Sequence, residues 1–244
     1  MGCRLAVSLA CLVGATGCGG AAPLFHAAHP LPKDKMTFGA GFSGSFNVDP
    51  PPVENPDGTE ETLLDAATAP GLAPWVGARL GFGHGLDGGL TYTARAIRVD
   101  GRYAYEFGED NAFAVSVGAG FSALLNRLSG SDASFGGMGG DVPILVGYQS
   151  DADIYAFYLG GRVGAEALRG QEALPADEVF VVEARNGWHV QTGGLIGARV
   201  GFRHVFGVLE FAADYHWAGA EFEDDEVSVE IMSLRPAGGL LIKF

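Results

Sequence analysis

Residues 188–202 read WHVQTGGLIGARVGF, and their character alternates at every second position. Trp188, Val190, Thr192, Gly194, Ile196, Ala198, Val200 and Phe202 fall on one face of an extended chain. His189, Gln191, Gly193, Leu195, Gly197, Arg199 and Gly201 fall on the other. A period of two over this length belongs to a strand, because successive side chains of a pleated backbone point to opposite sides. One face is oily and the other is small and charged. Residues 205–217 repeat the pattern, with Leu209, Phe211, Tyr215 and Trp217 opposite Glu210, Asp214 and His216. Residues 154–166 do so again, with Tyr155, Phe157, Leu159 and Val163 opposite Tyr158, Arg162 and Glu166.

Working outward, alternation predicts strands at 35–46, 73–82, 86–93, 97–107, 112–123, 142–149, 153–166, 188–204, 205–218 and 227–244. A soluble sandwich would turn the charged faces to water, whereas a membrane barrel turns the apolar faces to lipid and the charged faces inward. Small residues and mixed charges share one face here, as a narrow interior demands, and aromatics gather near strand ends on the other, as girdles do. Short connections near 83–85, 108–111, 150–152 and 204–205 alternate with long ones at 47–72, 124–141, 167–187 and 219–226. The expected fold is therefore all-β: an antiparallel up-and-down transmembrane barrel of about ten strands, with eight as the fallback. Asp100-Gly101 looks like a hairpin turn. A turn there would leave 102–107 shorter than the roughly 9–11 residues of a tilted spanning strand, so Asp100 stays within its strand.

Composition agrees. A hydrophobic content of 48% with only 18% charged residues excludes a disordered chain, and 39 glycines without a three-residue period exclude collagen. The 15 basic residues against 29 acidic ones give a net charge of -14, which argues against nucleic acid as a partner. All cysteines, Cys3, Cys11 and Cys18, lie at the start, where Arg4 precedes an apolar run over 5–15, the pattern of a bacterial export signal. Ala15-Thr16-Gly17-Cys18 resembles a lipobox, which implies diacylglycerol on Cys18; Gly19 in place of aspartate implies transfer to the outer membrane. The expected organisation is a signal peptide at 1–17, a flexible lipid-anchored tether at 18–34 and a barrel at 35–244. His26 and His29 have no third ligand nearby, so they are expected to serve only solubility.

The last strand ends in Phe244, with Ile242, Leu240, Gly238, Pro236 and Leu234 behind it at alternate positions. This resembles the terminal signature that bacterial outer-membrane β-barrel proteins present to their assembly machinery. The resemblance runs over 35–244 and implies an outer-membrane location with both termini periplasmic. Pro236 departs from it mildly, because proline removes a ladder donor.

On the inner face, Arg79, Arg95, Arg98, Arg102, Arg162, Arg199 and Arg235 accompany Asp87, Asp100, Glu106, Glu166, Glu210, Asp214 and Glu230. Such charges tolerate a narrow lumen only when paired, so a filled interior is expected rather than an open channel. Asp49, Glu54, Asp57, Glu60, Glu61 and Asp65, and the run Glu221 with Glu223 to Glu226, crowd two outer loops. They match no EF-hand ligand order and read as a solvated repulsive surface; the alternative is contact with lipopolysaccharide through divalent cations. Residues 59–67 could form one short helix from a Thr59 cap.

Asp214-x-His216 places a carboxylate and an imidazole on one face and resembles the Asp-x-His element of omptin proteases. Only that pair matches: the second candidate, Asp151 and Asp153, falls in an inner turn. An interior ion pair of Asp214 with Arg199 or Arg235 is the favoured expectation. Ser122 with His189 or His216 could imitate a lipid hydrolase, without supporting spacing. No metal site, cofactor motif or hydrolase elbow is found in the sequence. The expected function is non-enzymatic, structural or surface-interacting, with outer-membrane lipid and the assembly machinery as partners. The alternatives are a narrow small-solute channel and, behind it, an omptin-like or lipid-modifying enzyme.

Overall fold

The computed structural model describes residues 22–48, 67–124, 133–172, 184–222 and 225–244. Ten strands run β1 Met36–Val48, β2 Gly71–Gly83, β3 Leu86–Thr93, β4 Ala96–Phe107, β5 Phe113–Leu124, β6 Ala133–Gln149, β7 Tyr155–Glu172, β8 Ala184–Phe202, β9 Val205–Phe222 and β10 Asp225–Lys243. Each pairs antiparallel with its sequence neighbours, and β1 closes the ring on β10, with Phe38 opposite Ile242 and Phe46 opposite Leu234. Closure leaves no strand edge unpaired, which is the condition for a sheet to cross hydrocarbon.

The outside is apolar. Val76, Leu90, Val115, Ile144, Leu159, Ile196 and Leu209 project outward from strand after strand. At the short-turn end, Tyr105, Phe107, Phe113, Tyr148, Tyr155 and Phe157 form a continuous series of ring contacts across neighbouring strands. At the other end, Tyr215 and Trp217 lie with ring centroids 4.5 Å apart, and Trp188 is paired with Ala167. Phe157 to Ala167 along β7 spans about the 9–11 residues that a tilted strand needs to cross a bilayer. An apolar belt between two aromatic girdles is a lipid-facing exterior.

Short turns carry the backbone geometry their residues allow. His84 takes φ 55 between Gly83 and Gly85, whose φ values are 84 and 80. A Cβ on Gly85 would come within 2.4 Å of the Ala104 carbonyl oxygen, so this turn needs glycine on both steric and conformational grounds. Asp100 lies inside β4, between Gly89 and Gly120, as the span length requires.

Four features differ from the sequence reading. Strands β6 to β10 are 17 to 19 residues long and extend past the girdle at the long-loop end. Their ends, Gly-rich in β6 and charged in β7, look like loop, yet each is satisfied by ladder bonds to a neighbour. The acidic loop at 219–226 accordingly shrinks, because β9 runs to Phe222 and β10 starts at Asp225. Glu230 points outward instead of into the lumen: it shares parity with Met232 and Pro236, pairs with Trp217, and accepts a 2.7 Å hydrogen bond from the Tyr215 hydroxyl. The fourth difference is the segment before β1. Pro23 to His29 and Leu31 are buried inside the ring rather than forming a free tether. The signal peptide, Cys18, the acids at 49–65 and all but the end of the expected helix at 59–67 lie outside the described residues; within them, Ala67 and Thr68 are helical.

Candidate functional site

The site is the lumen and what fills it. Inward-facing acids and arginines from neighbouring strands interlock. Arg79 of β2 is paired with Asp87 and Asp100. Arg98 of β4, only 1% exposed, donates to both oxygens of Asp141 at 2.9 Å and to Asp100 at 2.6 Å. Arg102 donates from Nε and Nη2 to Asp87, each at 2.8 Å. Arg162 lies 3.5 Å from Asp141, and Arg235 is paired with Asp214. At the short-turn end, Arg199 is paired with Asp153, which also accepts from Lys243 at 2.7 Å; Glu106 is exposed there beside a cavity of about 130 Å³. Arg95, in the turn after β3, lines a cavity of about 50 Å³ towards the opposite end. Asp141 was missed in the sequence because it ends the run FGGMGGD, which reads as a glycine-rich loop.

Residues 22–35 rise through this lumen from the short-turn end. Asp34 donates its N–H to Gly81 O at 3.1 Å, beside the β2–β3 turn. Higher up, Leu31 N–H donates to Asp87 Oδ2 at 2.9 Å, and Arg102 donates to the carbonyls of Ala27 and, at 2.7 Å, His29. Leu24 and Phe25 donate their consecutive N–H groups to the two oxygens of Glu210, both at 2.9 Å. Ala22 O accepts from Arg162 at 3.1 Å. The Phe25 ring stacks on Trp75 at 4.4 Å in a cluster with Phe206, Val208 and Leu241. Leu24, Ala27 and Ala28 pack on Tyr158, Leu145, Leu195 and Ala212. Tyr158 reaches Glu210 at 2.9 Å only because position 197 is glycine, where a Cβ would come within 2.1 Å of its ring.

The histidines expected to serve only solubility are interior groups. His26 Nδ1 lies 2.8 Å from Arg102, and His29 Nε2 lies 3.1 Å from Asn111 O. Burial, reinforced by Arg102, Arg79 and Arg98, holds the His26 imidazole well below its usual pKa. Burial lowers His29 as well, against the opposing pull of the Asn111 carbonyl. Both side chains are therefore neutral here.

At the long-loop end, Ala67 packs with Leu168, Ala218, Ala220, Val229 and Ile231, and Ser45 donates to Thr68 O at 2.7 Å. Beneath this cover a polar chain runs around the wall: Glu166 Oε2 to His189 Nδ1 at 2.9 Å, His189 Nε2 to His216 Nδ1 at 2.9 Å, and His216 Nε2 to Ser233 Oγ at 2.7 Å. With Glu166 as the carboxylate acceptor, each imidazole donates from Nδ1, and the Ser233 hydroxyl donates to His216. That is the order of a base-activated serine, but Ser233 has no exposed surface and the neighbouring 50 Å³ admits water rather than a substrate. Asp214 turns to Arg235, so no Asp214–His216 dyad forms. Ser122 lines the same small cavity. Among the described residues no group of three or more His, Cys, Asp or Glu side chains is placed to hold a metal ion.

No protein-family model and no curated protein matches the chain. Solved structures resemble it distantly. Ail, the attachment invasion locus protein of Yersinia pestis, is 8% identical, with 87% of this chain and 99% of that one covered at a TM-score of 0.30. A major outer membrane protein of Thermus thermophilus is 14% identical, with 86% and 99% covered at 0.36. OprG of Pseudomonas aeruginosa is 9% identical, with 90% and 99% covered at 0.35. A likeness this distant carries no role across to this chain.

Proposed function

We propose that the chain is a self-plugged, non-enzymatic barrel of the bacterial outer membrane, with a structural or surface-interaction role. The observation that supports this best is the occupied lumen: residues 22–31 fill it with wall-bonded backbone and buried apolar side chains. An apolar exterior without strand edges suits lipid. Short turns belong on the periplasmic side in such barrels, which puts Phe244 there and the long, acidic connections outside, facing lipopolysaccharide.

Lipidation of Cys18 competes with the seated plug rather than belonging to the same state. Four peptide units link Cys18 to Ala22, a reach of at most about 14 Å, and Ala22 shares a cavity with Thr93, Arg95 and Ala96 at the long-loop end. A lipid held in the periplasmic leaflet and a seated plug thus exclude one another.

A narrow channel is the second reading, favoured by the polar cavity beside the plug at the short-turn end. Planar-bilayer recording of the folded full chain separates the two. An inserted, heat-modifiable but electrically silent barrel fits the plugged reading; steady conductance steps with the plug intact refute it.

A further inference from the structure

The geometry points to the lumen wall being a peptide-binding site, filled in cis by residues 22–31 and able to take in trans an uncharged, proline-flanked peptide carrying adjacent large apolar residues. This rests on the plugged reading above and gives the site a ligand class.

The wall reads main chain. Six hydrogen bonds join it to backbone groups of the segment: Glu210 accepts from Leu24 and Phe25, Asp87 from Leu31, Arg102 donates to Ala27 and His29, and Arg162 donates to Ala22. Contacts of this kind are blind to side chains, as in other modes of peptide capture. Selectivity comes from two pockets, one for Phe25 against Trp75 and one for Leu24 against Tyr158.

Glu210 shows that the wall is built for such a guest. Its carboxylate is buried, and among the described residues no arginine, lysine or histidine pairs with it. Its oxygens are satisfied by the two guest N–H groups and the Tyr158 hydroxyl. Without a guest the carboxylate would face the vacated lumen with the Tyr158 hydroxyl as its one protein partner shown here, and water would have to replace the two guest N–H groups. Arg102, neutralised by Asp87, likewise keeps N–H groups to spare, and these meet guest carbonyls. The guest is bent to fit: Phe25 takes φ 44, uncommon for a bulky residue, so that consecutive N–H groups converge on one carboxylate.

The test uses the folded full chain. Lys33 and Lys35 are exposed at the lumen mouth, and the remaining lysine, Lys243, lies one residue from the C-terminus. A lysine-specific protease therefore frees the segment without touching the barrel's interior strands. The clipped fragment should stay bound through size exclusion and be displaced by excess synthetic peptide of residues 22–33. The same peptide N-methylated at the Phe25 amide should compete at least tenfold more weakly. A fragment that leaves at once, opening conductance, overturns the peptide site and keeps the plug. One that leaves while the barrel stays silent overturns both. A retained fragment that excess peptide cannot displace, or that the methylated peptide displaces equally well, also overturns the site.

Discussion

Single side chains decide whether this lumen can hold charge. Arg98 joins Asp141 and Asp100 with almost no exposure, so Arg98→Ala removes the two-pronged partner of Asp141 and leaves Asp100 with Arg79 alone. Removing one partner of such a network costs about 3–5 kcal/mol, whereas replacing the charges together by apolar groups is far milder. In lipid vesicles the urea midpoint of Arg98→Ala should fall markedly, and adding Asp141→Leu should restore part of the loss. Additive losses in the double variant would show the pair to be incidental. The arginines of this network were legible from parity alone, since every second position of a strand shares a face. Asp141 was not, because glycines on both faces erase the alternation that reveals a strand. Parity also shows why Glu230 faces outward: at the long-loop girdle it is exposed and meets the Tyr215 hydroxyl, so an outward carboxylate has no hydrocarbon to enter.

At the scale of elements, the strands declared themselves and the plug did not. Strand recognition needs only a period of two, which ten segments share. Residues 22–34 have no period, three alanines and three prolines, and their backbone bonds go to side chains of distant strands, a relation that local sequence does not encode. Their histidines make a pH prediction. Neutral His26 is faced by Arg102 and Arg98 of β4 and Arg79 of β2, with Asp87 of β3 neutralising Arg102; His29 meets the Asn111 carbonyl and feels Glu106 and Arg199. Because both folded pKa values lie below the ordinary value near ~6.5, the expelled segment binds protons that the seated one refuses. The seated state keeps its full stability above that pH and loses it progressively as pH falls below. Lysine-specific clipping followed by size exclusion should therefore show the fragment retained at about pH 8 and increasingly released towards about pH 5, on either side of that ordinary value. His26→Phe should flatten that dependence. Release unchanged across this range would remove the histidines from the account.

For the whole molecule, the asymmetry between the two ends is the property that function must use. One end has tight turns, an aromatic girdle and the mouth through which the chain enters; the other has strands that overrun the girdle and carries long connections. Barrels of the bacterial outer membrane carry their short turns on the periplasmic side and their longer loops outside, and the proposed orientation of this chain follows that pattern. An epitope tag inserted after Asp57, in the long β1–β2 connection, should be stained on intact cells. The same tag inserted at Asp110, in the turn between β4 and β5, should be stained only after the outer membrane is permeabilised. Both tagged chains should retain heat-modifiable mobility, which shows that the ring has closed. Staining of Asp110 on intact cells would invert the barrel, place the plug's mouth on the outside and make the segment accessible to external peptides rather than to periplasmic ones.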